Sequence, residues 1–168
     1  MRRFMARKGA VVFKEMKTAG VAEGLYSDEI VVSTMVIGVV VGEVREMSYG
    51  IKLERNDSDG LTVSSVFVDF DEIGELAEAL EFIARTAHEM MQLQRDYTEV
   101  TYSTKDSARF GFYQDQGQQK AFVALEAAQD STFLQVGQLS DLRVVLLAAM
   151  KHLESRGAVL AARSGPRT

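Results

Sequence analysis

Asp69, Asp71, Glu72 and Glu75 crowd together where an alternating strand pattern gives way to a helical one. Paired carboxylates can move a proton or hold magnesium. Acids in the first turn of a helix also complement its dipole. The matching positions of the second half, Gln135, Gly137, Gln138 and Asp141, keep a single acid within the same pattern. The dipole reading is therefore preferred, and a metal- or carboxylate-dependent enzyme is the weaker alternative.

Other reactive patterns fail on spacing. His88-Glu89-Met90-Met91-Gln92 begins like a zinc-protease helix but has Gln where the second metal-binding His must stand. Asp57-Ser58-Asp59-Gly60 resembles part of a calcium loop, yet aligning Gly60 to the loop glycine puts Arg55 at the first ligand position and Val66 at the last. A hairpin turn explains it better. Nucleotide-binding glycine loops and serine-hydrolase motifs do not occur. With no cysteine in the chain, thiolate metal sites and cysteine nucleophiles are excluded. The sequence therefore indicates no catalytic residue, no metal ligand and no cofactor.

The stretch YSTKDSARFGFYQDQGQQKAF offers binding chemistry instead. Alternation puts Phe110 and Phe112 on one face of a strand and Arg109, Gly111 and Tyr113 on the other, with Lys105 and Lys120 at the adjoining turns. Cations that meet phosphates and flat rings that stack on bases are what single-stranded nucleic acid requires. Lys105, Arg109, Tyr113 and Lys120 are the candidate contacts, and Tyr97, Tyr102 and Phe122 could add rings. The competing reading makes these aromatics core and these cations edge protection. The basic arm bearing Arg2, Arg3, Arg7 and Lys8 reads as a solvated tail, with nucleic-acid contact as its alternative.

These residues need elements to hold them. Strand patterns fall near 10 to 16, 30 to 36, 38 to 47, 49 to 55 and 61 to 70, with turn chemistry at Gly42, Ser48-Tyr49-Gly50 and Asn56 to Gly60. From Ile73 to Met91 the apolar residues follow helical spacing. The second half repeats the plan, with strands near 97 to 104, 108 to 115, 119 to 126 and 131 to 136. A helix then spans about 139 to 156, entered directly at Leu139 or capped by Ser140, with Gly157 at its C-terminal cap. An offset of 66 positions pairs Phe67 with Phe133, Ile73 with Leu139, Leu76 with Leu142 and Leu80 with Leu146 without a gap. The predicted fold is α+β: tandem ββββα units whose antiparallel sheets are each covered by a C-terminal helix. Residues 1–29 form a basic arm with a short strand, 30–96 the first unit, 97–157 the second and 158–168 a flexible tail, within one compact domain.

The second helix is apolar nearly all round, which calls for burial on two sides. Val144, Leu147 and Ala148, with Phe82 on the polar side of the first helix, are the candidate interface toward the other helix or a second subunit, so a homo-oligomer is expected.

Of 168 residues, 46% are hydrophobic and 26% charged, as in ordinary globular domains. The longest apolar run, Ile30 to Val41, is twelve residues against roughly 20 needed to cross a bilayer. No membrane partner is expected, and the location reads as intracellular, cytoplasmic by preference. An organellar targeting peptide is the alternative for the Arg-rich start. Net charge is −5, with the acidic excess in the middle of the chain, which argues against a large phosphate-binding footprint but allows a local basic face.

The tandem ββββα order over roughly residues 30 to 156 resembles the single-stranded-DNA-binding transcriptional regulator fold, the class of the Whirly proteins and the positive-cofactor-four-type coactivators. The resemblance is one of element order, and the lysine-rich Whirly signature is absent. It implies a pseudo-twofold unit, oligomers formed through the helices, and single-stranded nucleic acid laid across exposed sheet faces. The sequence thus suggests a non-enzymatic module binding single-stranded DNA or RNA. The alternative is an assembly component using the apolar helix 139–156.

Overall fold

A computed structural model describes residues 10–93, 96–126 and 131–160. Strands β1 (Val11–Glu23), β2 (Glu29–Val41), β3 (Val44–Asn56) and β4 (Thr62–Asp69) form one antiparallel sheet in sequence order, followed by helix α1 (Phe70–Met90). The plan then recurs: β5 (Tyr97–Ser103), β6 (Arg109–Asp115), β7 (Gln118–Ala124) and β8 (Thr132–Leu134) form a second sheet, followed by α2 (Gln138–Ser155). The α+β class and the repeated unit are as expected.

Some boundaries differ. The first strand of the first sheet is β1, which lies inside the segment assigned to the basic arm, so the first unit begins upstream of residue 30. It is a mostly exposed strand, and an apolar pattern is weak where few side chains are buried. The expected break after residue 36 does not exist. Gly38 sits within β2, paired with Phe13 and Met47, and its missing side chain makes room for the Phe13 ring, which lies 1.9 Å from where a Cβ would stand. Likewise Ser48-Tyr49-Gly50 runs through β3 rather than turning. The true β2–β3 turn is Gly42-Glu43, two residues long, with Gly42 at φ +60 as the first position of a tight hairpin turn demands.

β2 explains the long apolar run. Ile30, Val32 and Val36 point into the main core, while Met35, Ile37 and Val39 form a smaller cluster on the opposite face with Ala10 and Phe67. A strand buried on both faces has no reason to alternate.

Each sheet is followed by its helix as expected, and the helices also reach across to the other half. α1 packs against β3 and β4 of its own sheet and also against β5 and β6, whereas α2 lies on β1, β2 and β3 of the first sheet. Each helix therefore also covers the opening strands of the other half, and α1 and α2 pack on each other. One continuous core results. Ile73, Leu76, Leu80 and Ile83 of α1, Leu139, Leu142, Leu146 and Leu153 of α2, and Phe110 and Phe112 of β6 are buried together. Each such side chain contributes about 1.5–3 kcal/mol. At its end α2 closes in a Schellman motif: Ala158 N–H donates to Leu153 O (3.0 Å) and Gly157 N–H to Glu154 O (3.0 Å), with Gly157 at φ +101. Ser140 is not the N-cap, since Gly137 holds that position. The charged arm and most of the tail lie outside the described residues.

Candidate binding face

Antiparallel pairing puts opposite residues on the same face of a sheet. In the second sheet, Phe110, Phe112 and Gln114 face the core. The other face then carries Tyr97, Glu99 and Thr101 from β5, Arg109, Gly111 and Tyr113 from β6, Lys120 and Phe122 from β7, and Phe133 from β8. The expected alternation of β6 is therefore present, and Arg109, Tyr113 and Lys120 share one face. Tyr102 does not join them, because it pairs with Phe110 on the core side.

Lys105 is also elsewhere. It sits in the β5–β6 turn, with Nζ 3.3 Å from Asp71 Oδ2 and its backbone N–H donating to Glu72 Oε1 at 2.7 Å. The carboxylates at the start of α1 thus tie the two units together. Burial pushes the Glu72 carboxyl up from its ordinary value, against the lowering effect of the Lys105 N–H. Among the described residues no three His, Cys, Asp or Glu side chains gather as a metal site would need.

Four rings cross the face. Tyr97 and Tyr113 stack at 6.4 Å with planes 23° apart, Tyr113 meets Phe133 edge to face at 6.2 Å, and Phe133 meets Tyr26 edge to face at 6.1 Å. Tyr26 reaches the row because the β1–β2 turn docks on the edge of the second sheet, Leu25 N–H donating to Phe133 O at 2.8 Å. Gly111 keeps the floor of the face flat: a Cβ there would stand 2.3 Å from Val100 O and 2.8 Å from Phe122 Cζ, whose ring lies over the glycine. Such aromatic cover of a strand glycine restores packing that the glycine lacks.

Polar groups fix the rings. Tyr97 Oη donates to Glu99 Oε2 (2.7 Å) and Thr101 Oγ1 to Glu99 Oε1 (2.9 Å). These two bonds, with Arg109 nearby, hold the Glu99 carboxyl below its ordinary value, and the first pushes the Tyr97 phenol up. Lys120 Nζ donates to Tyr26 Oη at 3.0 Å, which pushes the ammonium pKa up. Arg109 and Lys120 are balanced by Glu99 of β5 and Asp115 of β6 on the same face, so the face is ring-rich but not continuously positive.

Sequence reasoning missed Tyr26, Phe133, Glu99 and Asp115. Phe133 was readable from the inward-facing Thr132 and Leu134 that flank it; Tyr26 depends on a docking contact with a strand more than a hundred residues away.

The candidate interface divides. Val144 is 63% exposed, Leu147 38% and Phe82 53%, beside the Arg143–Glu81 ion pair (2.7 Å) that joins the helices. Ala148 instead lines a groove between α2 and β1 with Lys17, Thr34 and His152. Among the described residues no helix is long and apolar enough to cross a membrane. Compared with protein-family models and with curated protein sequences, the chain matches none.

Proposed function

We propose that this chain is a non-enzymatic binding module that holds single-stranded nucleic acid across the outer face of the second sheet. The observation that carries this reading is the row Tyr97, Tyr113, Phe133 and Tyr26, four rings within 6.4 Å steps, with Lys120 and Arg109 alongside. Stacking supplies about 1–3 kcal/mol per base. The two cations limit the phosphate contribution, so log K falls with log salt at a slope of about −1.4, from roughly −0.7 per phosphate on a single strand. Binding is therefore driven by stacking and tolerant of salt.

Fluorescence anisotropy with a labelled single-stranded oligonucleotide tests this. Tyr113→Ala weakens binding by roughly 5- to 150-fold with the slope unchanged, and Lys120→Ala makes the slope shallower by about 0.7. No binding at low salt, or full affinity in the Tyr113 variant, overturns the reading. The exposure of Val144, Leu147 and Phe82 favours a second reading, self-assembly through the helix layer. Light scattering that shows a monomer for both wild type and Val144→Glu removes it.

A further inference from the structure

A cavity of about 520 Å³ opens where the row of rings ends, between the β1–β2 turn, the β3–β4 turn and β8. That volume lies within the range of small-molecule sites. One wall is aromatic, Tyr26 against Phe133; Ser58 and Ser131 add hydroxyls; Arg55 and Asp57 complete the polar side. Asp28 also lines it, and one of its two carboxylate oxygens holds the wall together. Oδ2 accepts from Thr132 Oγ1 (2.6 Å) and Arg55 Nε (3.3 Å). Oδ1 lies against Gly24, where any Cβ would stand 2.2 Å away.

With Asp28 and Arg55 paired, Asp57 leaves the lining negative, while Lys120 stands at the other end of the Tyr26 ring, bonded to its hydroxyl. A strand following the rings keeps its phosphates near Lys120 and cannot continue past Tyr26 without bringing a phosphate against Asp57. We infer that this cavity receives the terminal nucleoside of a single strand, its base against Tyr26 and Phe133 and its free sugar hydroxyl toward Ser58 and Ser131. This assignment rests on the nucleic-acid reading and adds to it a preference for unphosphorylated ends.

The test compares three probes by anisotropy: a linear oligodeoxythymidine with hydroxyl ends, the same oligonucleotide phosphorylated at both ends, and its covalently closed circle. The hydroxyl-ended strand binds about tenfold tighter than the circle, the worth of one additional stacked base, and terminal phosphates abolish that gain. Asp57→Asn keeps an oxygen for the turn that Asp57 Oδ1 holds through Asp59 N–H and Leu61 N–H; it makes the phosphorylated strand bind as well as the hydroxyl-ended one. Ser131→Trp fills the cavity and reduces the linear strand to the affinity of the circle. Equal binding of circle and linear strand by the wild type overturns the inference and leaves the proposed function standing. So does a phosphate-ended strand that the wild type binds as tightly as the hydroxyl-ended one. If none of the probes binds, both fall.

Discussion

Adding one methyl group should have opposite effects at Gly111 and Gly74. At Gly111 the new Cβ would lie 2.3 Å from Val100 O, a backbone atom of the neighbouring strand, and 2.8 Å from Phe122 Cζ. Ordinary C–H···O contacts sit near 3.3–3.6 Å, so β5 and β6 must part by roughly 1 Å. Phe122 can turn aside, but the carbonyl is fixed by its ladder. Overpacking of this kind costs about 1–3 kcal/mol, and the entropy removed from the unfolded chain returns only about 0.4–1 kcal/mol. Gly111→Ala should therefore lose about 1–2 kcal/mol. Gly74 lies within α1 with nothing inside 4 Å of its virtual Cβ, so Gly74→Ala should gain about 1 kcal/mol from helix propensity. In a chain of this length the midpoint of thermal unfolding moves roughly 2–4 °C per kcal/mol. Circular dichroism should show Gly111→Ala melting several degrees below wild type and Gly74→Ala a few degrees above. Urea titrations should give shifted midpoints at unchanged slope. A Gly111→Ala protein as stable as wild type would mean that the close β5–β6 approach, and the flat floor it makes for the face, is misjudged.

Glu72 and Asp28 give further tests. The folded-state pKa of Glu72 is raised by burial above the ordinary 4.5, so the native state holds that proton more tightly and stability declines as pH rises from 4.5 through the raised value. Glu72→Gln keeps an acceptor for the Lys105 N–H and should flatten that decline in urea midpoints measured across the range. Glu72→Ala leaves the N–H unpaired and should cost about 1–3 kcal/mol near neutral pH. Asp28→Ala strips Arg55 and the buried Thr132 of their shared acceptor and should cost about 3 kcal/mol; a change under 1 kcal/mol in the same urea assay would show that the junction is not held by this network.

The elements best read from the sequence were those with strong local periodicity. The apolar residues of α1 recur every three or four positions, and the expected run from Ile73 to Met91 lies within three residues of the observed Phe70–Met90 at either end. The phase of β6 was legible because Phe110 and Phe112 flank a glycine. Gly50 was misread because a glycine paired within a strand looks, in one dimension, like one that turns the chain. Only the first part of β1, near 10 to 16, was read, because few of its side chains are buried. Lys105 stands in the β5–β6 turn as expected, but its partner Asp71, 34 residues away, lay beyond any local pattern. Half of the ring row was visible as Tyr97 and Tyr113; Phe133 and Tyr26 join it only through strand register and a docked turn.

The reach of α2 onto the first sheet bears on how the chain is made. Translation completes β1 to β4 first, yet the helix that seals β1 and β2 comprises residues 138–155 and is synthesised after all eight strands. Until it arrives, a nascent chain exposes the inward side of Ile30, Val32 and Val36 to water. Folding of the first sheet therefore waits for α2 rather than proceeding half by half, and a product truncated after α1 is a substrate for chaperones and proteases instead of a working half-molecule.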